Sequence, residues 1–203
     1  MFIGEYSLSV FFSYIAVGTS LFSCYYAING NLKISLLLFM CSGLIDMLDG
    51  RFANLFKRNK FQKRFGEQID TVLDVFNFGA IPIFLVYLYG YNDLITILFL
   101  VFYLFAATMR LAYFNTVIEV NSKKRLYQGL PVTTITLTLP IIILLTHLLN
   151  NSFGLWTIRI LLFIVSILYI SNIKFTKPKS IFFIISMIFA GLAVLLSLFL
   201  FLI

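Results

Sequence analysis

Asp46 and Asp49 close one strongly apolar segment, and Asp70 and Asp74 open the next. They are half of the eight acidic residues in a chain of 203. A carboxylate beside hydrocarbon is costly unless it is paired or holds a metal, so acids in such places mark functional sites. The offsets of three and of four put each pair on one face of a helix. Four carboxylates meeting at a membrane surface would repel one another without cations. An all-oxygen ligand set suits Mg²⁺ or Mn²⁺ rather than zinc. Two such ions would clamp a pyrophosphate and offset charge on the attacking and leaving oxygens of a displacement. Gly50, Ala53 and Gly66, all small, would let a flat ligand approach the helix surface closely.

The elements that must carry these residues are membrane spans. Hydrophobic residues make up 61% of the chain and charged ones 11%, with a mean hydropathy of +1.02. Soluble domains carry about 25% charged residues. Stretches of about 20 apolar residues predict an all-α, polytopic transmembrane bundle of about seven spans (six to eight). They cover 8–29, 32–50, 68–90, 93–118, 131–150, 154–172 and 179–202. One membrane domain then accounts for residues 1–203. The segment 1–9 holds Glu5 and no basic residue, so the first span reads as mature structure rather than a cleaved signal. Pro82 is expected to bend the third span, whereas Pro131 starts the fifth, where a missing N–H is harmless.

The net charge of +7 is unevenly spread. Seven spans place thirteen of the fifteen Lys and Arg residues on the side of the aspartates, leaving Lys33 and Arg159 as exceptions. The positive-inside rule makes that side cytoplasmic, with the N-terminus inside an inner (plasma) membrane. Topology and anionic headgroups account for the basicity without nucleic acid. A basic loop of this kind would also collect an anionic nucleotide.

The stretch Asp46-Met-Leu-Asp49-Gly50-Arg51-Phe52-Ala53, followed by Gly66-Glu-Gln-Ile-Asp70-Thr-Val-Leu-Asp74, resembles the signature of the CDP-alcohol phosphotransferases. That signature is D-x-x-D-G-x-x-A-R, then G-x-x-x-D-x-x-x-D. The resemblance implies metal binding by Asp46, Asp49, Asp70 and Asp74, with Asp74 also the catalytic base. It implies contacts to the cytidine diphosphate from Gly50, Ala53 and Gly66. Asn54 stands where the family has Arg, and counting back from Gly66 puts Lys57 at that offset. Lys57 and the adjacent Arg58 could make the charge-assisted phosphate bond that Asn54 cannot.

Four further segments, in order along the chain, are similar to the phosphatidylserine synthases of this family. They are Asn77-Phe-Gly79-Ala-Ile-Pro82 (Asn77 for Ser), Arg110-Leu-Ala-Tyr113-Phe-Asn115 (Tyr113 for Arg), Tyr127-Gln128-Gly129-Leu130-Pro131 and Ser171-Asn172-Ile173-Lys174-Phe175. The resemblance implies transfer of a phosphatidyl group from CDP-diacylglycerol to L-serine, within a homodimer. Arg110 suits the serine carboxylate, and Asn115 and Gln128 are further acceptor-binding candidates. Glycerol 3-phosphate or an inositol phosphate would be the alternative acceptor. A cation transporter or channel would instead need acids near the bilayer midplane and polar residues on several spans. A non-catalytic scaffold would explain only the Asn54 departure. Cys24, Cys41 and the lone His147 read as packing or capping residues, and Tyr87, Tyr89, Tyr91 and Trp156 as an interfacial aromatic belt.

Overall fold

The computed structural model describes residues 8–53, 59–120, 127–128, 130–148, 151–175 and Leu192. Within them the chain is a helical bundle. In order come α1 (Leu8–Ile28), α2 (Leu32–Ala53), α3 (Lys60–Asp74), a π-helical turn (Val75–Ala80) and α4 (Ile81–Leu88). Then follow α5 (Leu94–Val120), a 3-10 turn (Val132–Thr134), α6 (Ile135–Leu148) and α7 (Asn151–Ile170). The segments Val10–Ile28, Lys60–Leu88 and Leu94–Val117 are long and apolar enough to cross a membrane, and Val132–Leu144 and Gly154–Ile170 are shorter apolar helices. The expected span at 179–202 lies outside the described residues, apart from Leu192.

Successive helices alternate in direction, and this sorts the residues to two ends of the bundle. Gly30 turns α1 into α2 with φ +76, a left-handed conformation that glycine adopts without strain. The Oγ of Ser23 near the end of α1 donates to the carbonyl of Ser35 near the start of α2 (2.7 Å), and Tyr89 after α4 donates to Ser35 Oγ (2.7 Å). At this same end Tyr91 shares a hydrogen bond with Thr146 of α6 (2.6 Å), and Arg159 of α7 meets Asp93. The opposite end therefore holds the close of α2, the start of α3, the close of α5, the start of α6 and the close of α7. The candidate site residues that the structure describes belong there. Tyr87 and Trp156 are exposed, as a belt requires, whereas Tyr89 and Tyr91 bond inward.

Lipid is as apolar as leucine, so the helices are held by close packing and interhelical hydrogen bonds rather than by hydrophobic segregation. A close approach joins α2 to α6 at Gly43. A Cβ on Gly43 would lie only 2.7 Å from Thr136 Cβ, inside van der Waals contact. Tyr103, Phe39, Phe78, Ile135 and Leu162 fill the space between the helices.

The third helix departs from expectation at both ends of its polar half. It begins at Lys60 rather than near 68, because Asn59 and Gln62 form a reciprocal capping box. Asn59 Oδ1 accepts from the Gln62 amide (2.7 Å), and Gln62 Oε1 accepts from the Asn59 amide (3.1 Å). Pro82 does not interrupt the helix; a π-helical turn precedes it, with the Ile81 amide donating to Phe76 five residues back. Pro82 has no N–H to give to the Phe78 carbonyl, the acceptor four residues behind it. The hydroxyl of Tyr103 on α5 donates to that carbonyl instead (2.5 Å). Tyr103→Phe should lower stability by about 0.6–1.7 kcal/mol, the range found for hydrogen bonds between membrane helices. Detergent-solubilised variant and parent, compared by thermal unfolding, would check this.

Arg159, one of the two basic residues at the far end, is 6% exposed and neutralised there. Its Nη2 donates to Asp93 Oδ2 (2.6 Å), its Nε to Thr96 Oγ1 (3.1 Å), and its guanidinium lies 4.8 Å from the Trp156 ring centroid. Hydrogen bonds from Thr96 and Arg159 hold the Asp93 carboxyl well below the usual carboxylate range. A depressed carboxylate stabilises the fold above its unfolded value, near 3.8, and loses that contribution as pH falls through the folded value. Asp93→Asn should therefore lower the melting temperature by a constant amount above about pH 4. The gap to the parent should close only in more acidic solution, which a pH series of melting curves would reveal.

Candidate active site

Asp46 on α2 and Asp70 and Asp74 on α3 converge. Each offers a carboxylate oxygen, and the three oxygens lie within 4.8 Å of one another. Asp46 sits in the polar final turns of α2. Asp70 and Asp74, one turn apart, face it from α3, which runs parallel to α1. At an effective dielectric of about 20, two charges that close repel by roughly 3–4 kcal/mol before screening. Three half-buried carboxylates so placed are a hard-oxygen set suited to a divalent cation. Asp49, Gly50 and Ala53 belong to the last turns of α2, but their side-chain surroundings lie outside the described residues. Asn54, Lys57 and Arg58 lie outside them altogether. Gly66 is buried on α3, one turn before Asp70.

Neighbouring helices brace these aspartates. Ser13 Oγ on α1 donates to Asp70 Oδ1 (3.2 Å). Asn115 on α5 donates through Nδ2 to Thr71 Oγ1 (2.6 Å), and Thr71 in turn donates to the Glu67 carbonyl (2.9 Å). Asn115 thus ties α5 to α3 beside Asp70. At 27 residues α5 is about 40 Å long, longer than a hydrocarbon core of about 30 Å, so its last turns reach the polar layer.

A cavity of about 290 Å³ opens at the same end between α5 and the close of α7. Met109, Arg110, Tyr113, Tyr169, Ile170, Ser171 and Asn172 line it. Arg110 is 8% exposed, with its guanidinium 5.3 Å from the Phe114 ring centroid. Tyr169, on the cavity wall, donates to the Val132 carbonyl (2.9 Å) and so fixes the start of α6. Beyond the cavity, Tyr127 and Gln128 pair antiparallel with Phe175 and Lys174, and the Leu130 amide donates to the Leu168 carbonyl (3.4 Å). Two sequence segments more than forty residues apart therefore meet as one structure. The Gln128 side chain lies outside the described residues, as does that of His147.

The match to known proteins covers the three aspartates and Arg110. Residues 7–168 match the CDP-alcohol phosphatidyltransferase family.

The chain belongs to the CDP-alcohol phosphatidyltransferase family.

It is thus a phospholipid-synthesising transferase, and its apolar helices are those of a membrane protein. Among similar proteins are the CDP-diacylglycerol–serine O-phosphatidyltransferases of Saccharomyces cerevisiae and of two strains of Helicobacter pylori. The yeast relative is 31% identical over 111 residues, 51% of this chain but only 38% of its own length. Both Helicobacter relatives are 29% identical over 195 residues, 89% of this chain and 78% of theirs. In the terms of the CDP-alcohol phosphatidyltransferase signature, its first, third and fourth aspartates are the three whose oxygens converge here. Ser171 and Asn172 join Arg110 in the cavity although only their motif, not a binding role, was legible in sequence. Ser13 carried no sequence signal, being one of many serines in apolar helices.

Proposed function

We propose that this enzyme transfers a phosphatidyl group from CDP-diacylglycerol to the hydroxyl of L-serine, giving phosphatidylserine and CMP. The observation that carries the reading is the convergence of Asp46, Asp70 and Asp74 at the end of the bundle that also opens the Arg110 cavity. Asp46, Asp49, Asp70 and Asp74 would hold Mg²⁺ or Mn²⁺, as a two-metal site; such ions, when bound, supply charge compensation on the diphosphate. Asp74 takes the proton of the serine hydroxyl as its oxygen bonds to the lipid-bearing phosphorus. The bond from that phosphorus to the CMP oxygen breaks, and CMP leaves. Gly50, Ala53 and Gly66 leave room for the nucleotide, with Lys57 or Arg58 on its phosphates.

The cavity favours serine over a phosphorylated alcohol. Its volume is at the small end of ligand pockets, which run from about 300 Å³ upward. Among the described residues Arg110 is its one cationic lining residue, and it matches a single carboxylate. Glycerol 3-phosphate or an inositol phosphate would call for more positive charge, and Tyr113 stands where a second Arg would supply it. The relatives' names point the same way. The enzyme would work as a homodimer in the inner membrane, with the aspartates on the cytoplasmic side.

Purified protein, supplied with CDP-diacylglycerol and Mg²⁺ or Mn²⁺, should release CMP with serine and yield phosphatidylserine by mass spectrometry. Turnover with glycerol 3-phosphate or inositol phosphate instead would retain the family chemistry and defeat the serine assignment. Arg110→Lys should raise KM for serine about tenfold or more, because Lys cannot form the bidentate pair, and leave KM for CDP-diacylglycerol unchanged.

A further inference from the structure

Two serines seven residues apart on α1 reach two residues seven apart on the third helix. Ser13 Oγ donates to Asp70 Oδ1 at 3.2 Å, and Ser20 Oγ donates to Asn77 Oδ1. Each pair is separated by 57 positions in sequence, so α1 and the third helix run in the same direction and in step. A hydroxyl on an apolar helix usually returns to its own backbone, as Thr19 does to the Ile15 carbonyl (2.8 Å). Ser13 and Ser20 reach a neighbouring helix, and both are buried.

We propose that Ser13 is a positioning residue for Asp70. Its hydroxyl holds one carboxylate oxygen in place for ligation of a divalent cation. This rests on reading the aspartate cluster as the metal site. A carboxylate has about four acceptor directions, so one donated bond does not compete with metal ligation. An aspartate restrained by a buried partner needs less ordering when the ion arrives. The donated bond also withdraws negative charge from a cluster that otherwise repels itself. Hydrogen-bond partners of metal-binding carboxylates typically alter metal affinity about 10–100-fold. The 3.2 Å bond to a neutral hydroxyl sets the expected effect near tenfold.

The test is Mn²⁺ binding to the full chain in detergent without substrate, read from the electron paramagnetic resonance signal of free Mn²⁺. Ser13→Val and Ser13→Thr have nearly the same shape and differ in the hydroxyl. The Val variant should bind Mn²⁺ about tenfold more weakly, and the Thr variant should bind as the parent does. Ser13→Cys, close to serine in size and a weaker donor, should fall between, and it serves if the branched variants do not fold. Ser20→Ala should lower the melting temperature without moving Mn²⁺ affinity. Equal affinity in the parent, Val and Cys proteins would overturn the proposal. So would a loss in Ser20→Ala as large as that in Ser13→Val, because the effect would then be general loosening of α1. Asp70→Asn separates the two levels: if it too leaves Mn²⁺ binding intact, the metal reading itself fails.

Discussion

Asp74→Asn should cut CMP release by about 10²–10⁴-fold, the usual contribution of a positioned proton acceptor. Asparagine keeps the shape and an acceptor oxygen but can neither take the serine proton nor add a full charge to the cluster. Folding should not suffer. Three carboxylate oxygens within 4.8 Å repel one another when no cation is bound, so neutralising one removes an unfavourable interaction. In chelator, the variant should melt at or above the temperature of the parent. Loss of activity together with a retained or raised melting temperature separates a catalytic role from a structural one. Turnover within tenfold of the parent would remove Asp74 from the proposed mechanism.

Gly43→Ala should be the most damaging small substitution in the bundle. The added methyl would overlap the Thr136 side chain, and neither helix has an easy way to yield. Overpacking of this kind costs about 1–3 kcal/mol. Gly43 lies three residues before Asp46, so separating α2 from α6 would also move one carboxylate away from the other two. Activity should fall along with stability. Removing the obstacle with Thr136→Gly in the same protein should recover much of both, less about 1 kcal/mol for a glycine inside a helix. A double-mutant cycle on melting temperature and CMP release would measure that coupling. Additive losses would show that the two residues do not meet.

The aspartate cluster was more legible in the sequence than the architecture that assembles it. Acids are so rare in this chain that four at fixed offsets stood out, and three of them do meet. Apolar runs gave the helices, because twenty consecutive hydrophobic residues have few alternatives. Capping was harder to see: Lys60 to Gln68 is polar and reads as loop until Asn59 and Gln62 are recognised as a reciprocal pair. Tertiary hydrogen bonds left no trace at all. Ser13, Ser20 and Ser23 are indistinguishable by residue type, yet they serve Asp70, Asn77 and Ser35. Arg159 looked like an exception to the charge rule until Asp93, on another segment, was seen beside it. Arg110, Ser171 and Asn172 come together only because α5 and α7 end side by side, which no local pattern encodes.

The π-helical turn between Asp74 and Pro82 means that the third helix is two rotors on one shaft. An α-helix advances about 100° per residue, so one extra residue in a turn offsets everything after it by that angle. Asp70 and Asp74 are indexed by the half before the turn; Leu85 and Val86, buried against the bundle, by the half after it. Removing a single residue from 75–80 would let the turn relax to a regular helix. The lipid-embedded half could then stay seated only if the carboxylates swung about a quarter turn away from Asp46. The register of the aspartate cluster is thus stored as a count of residues in the turn that directly follows Asp74.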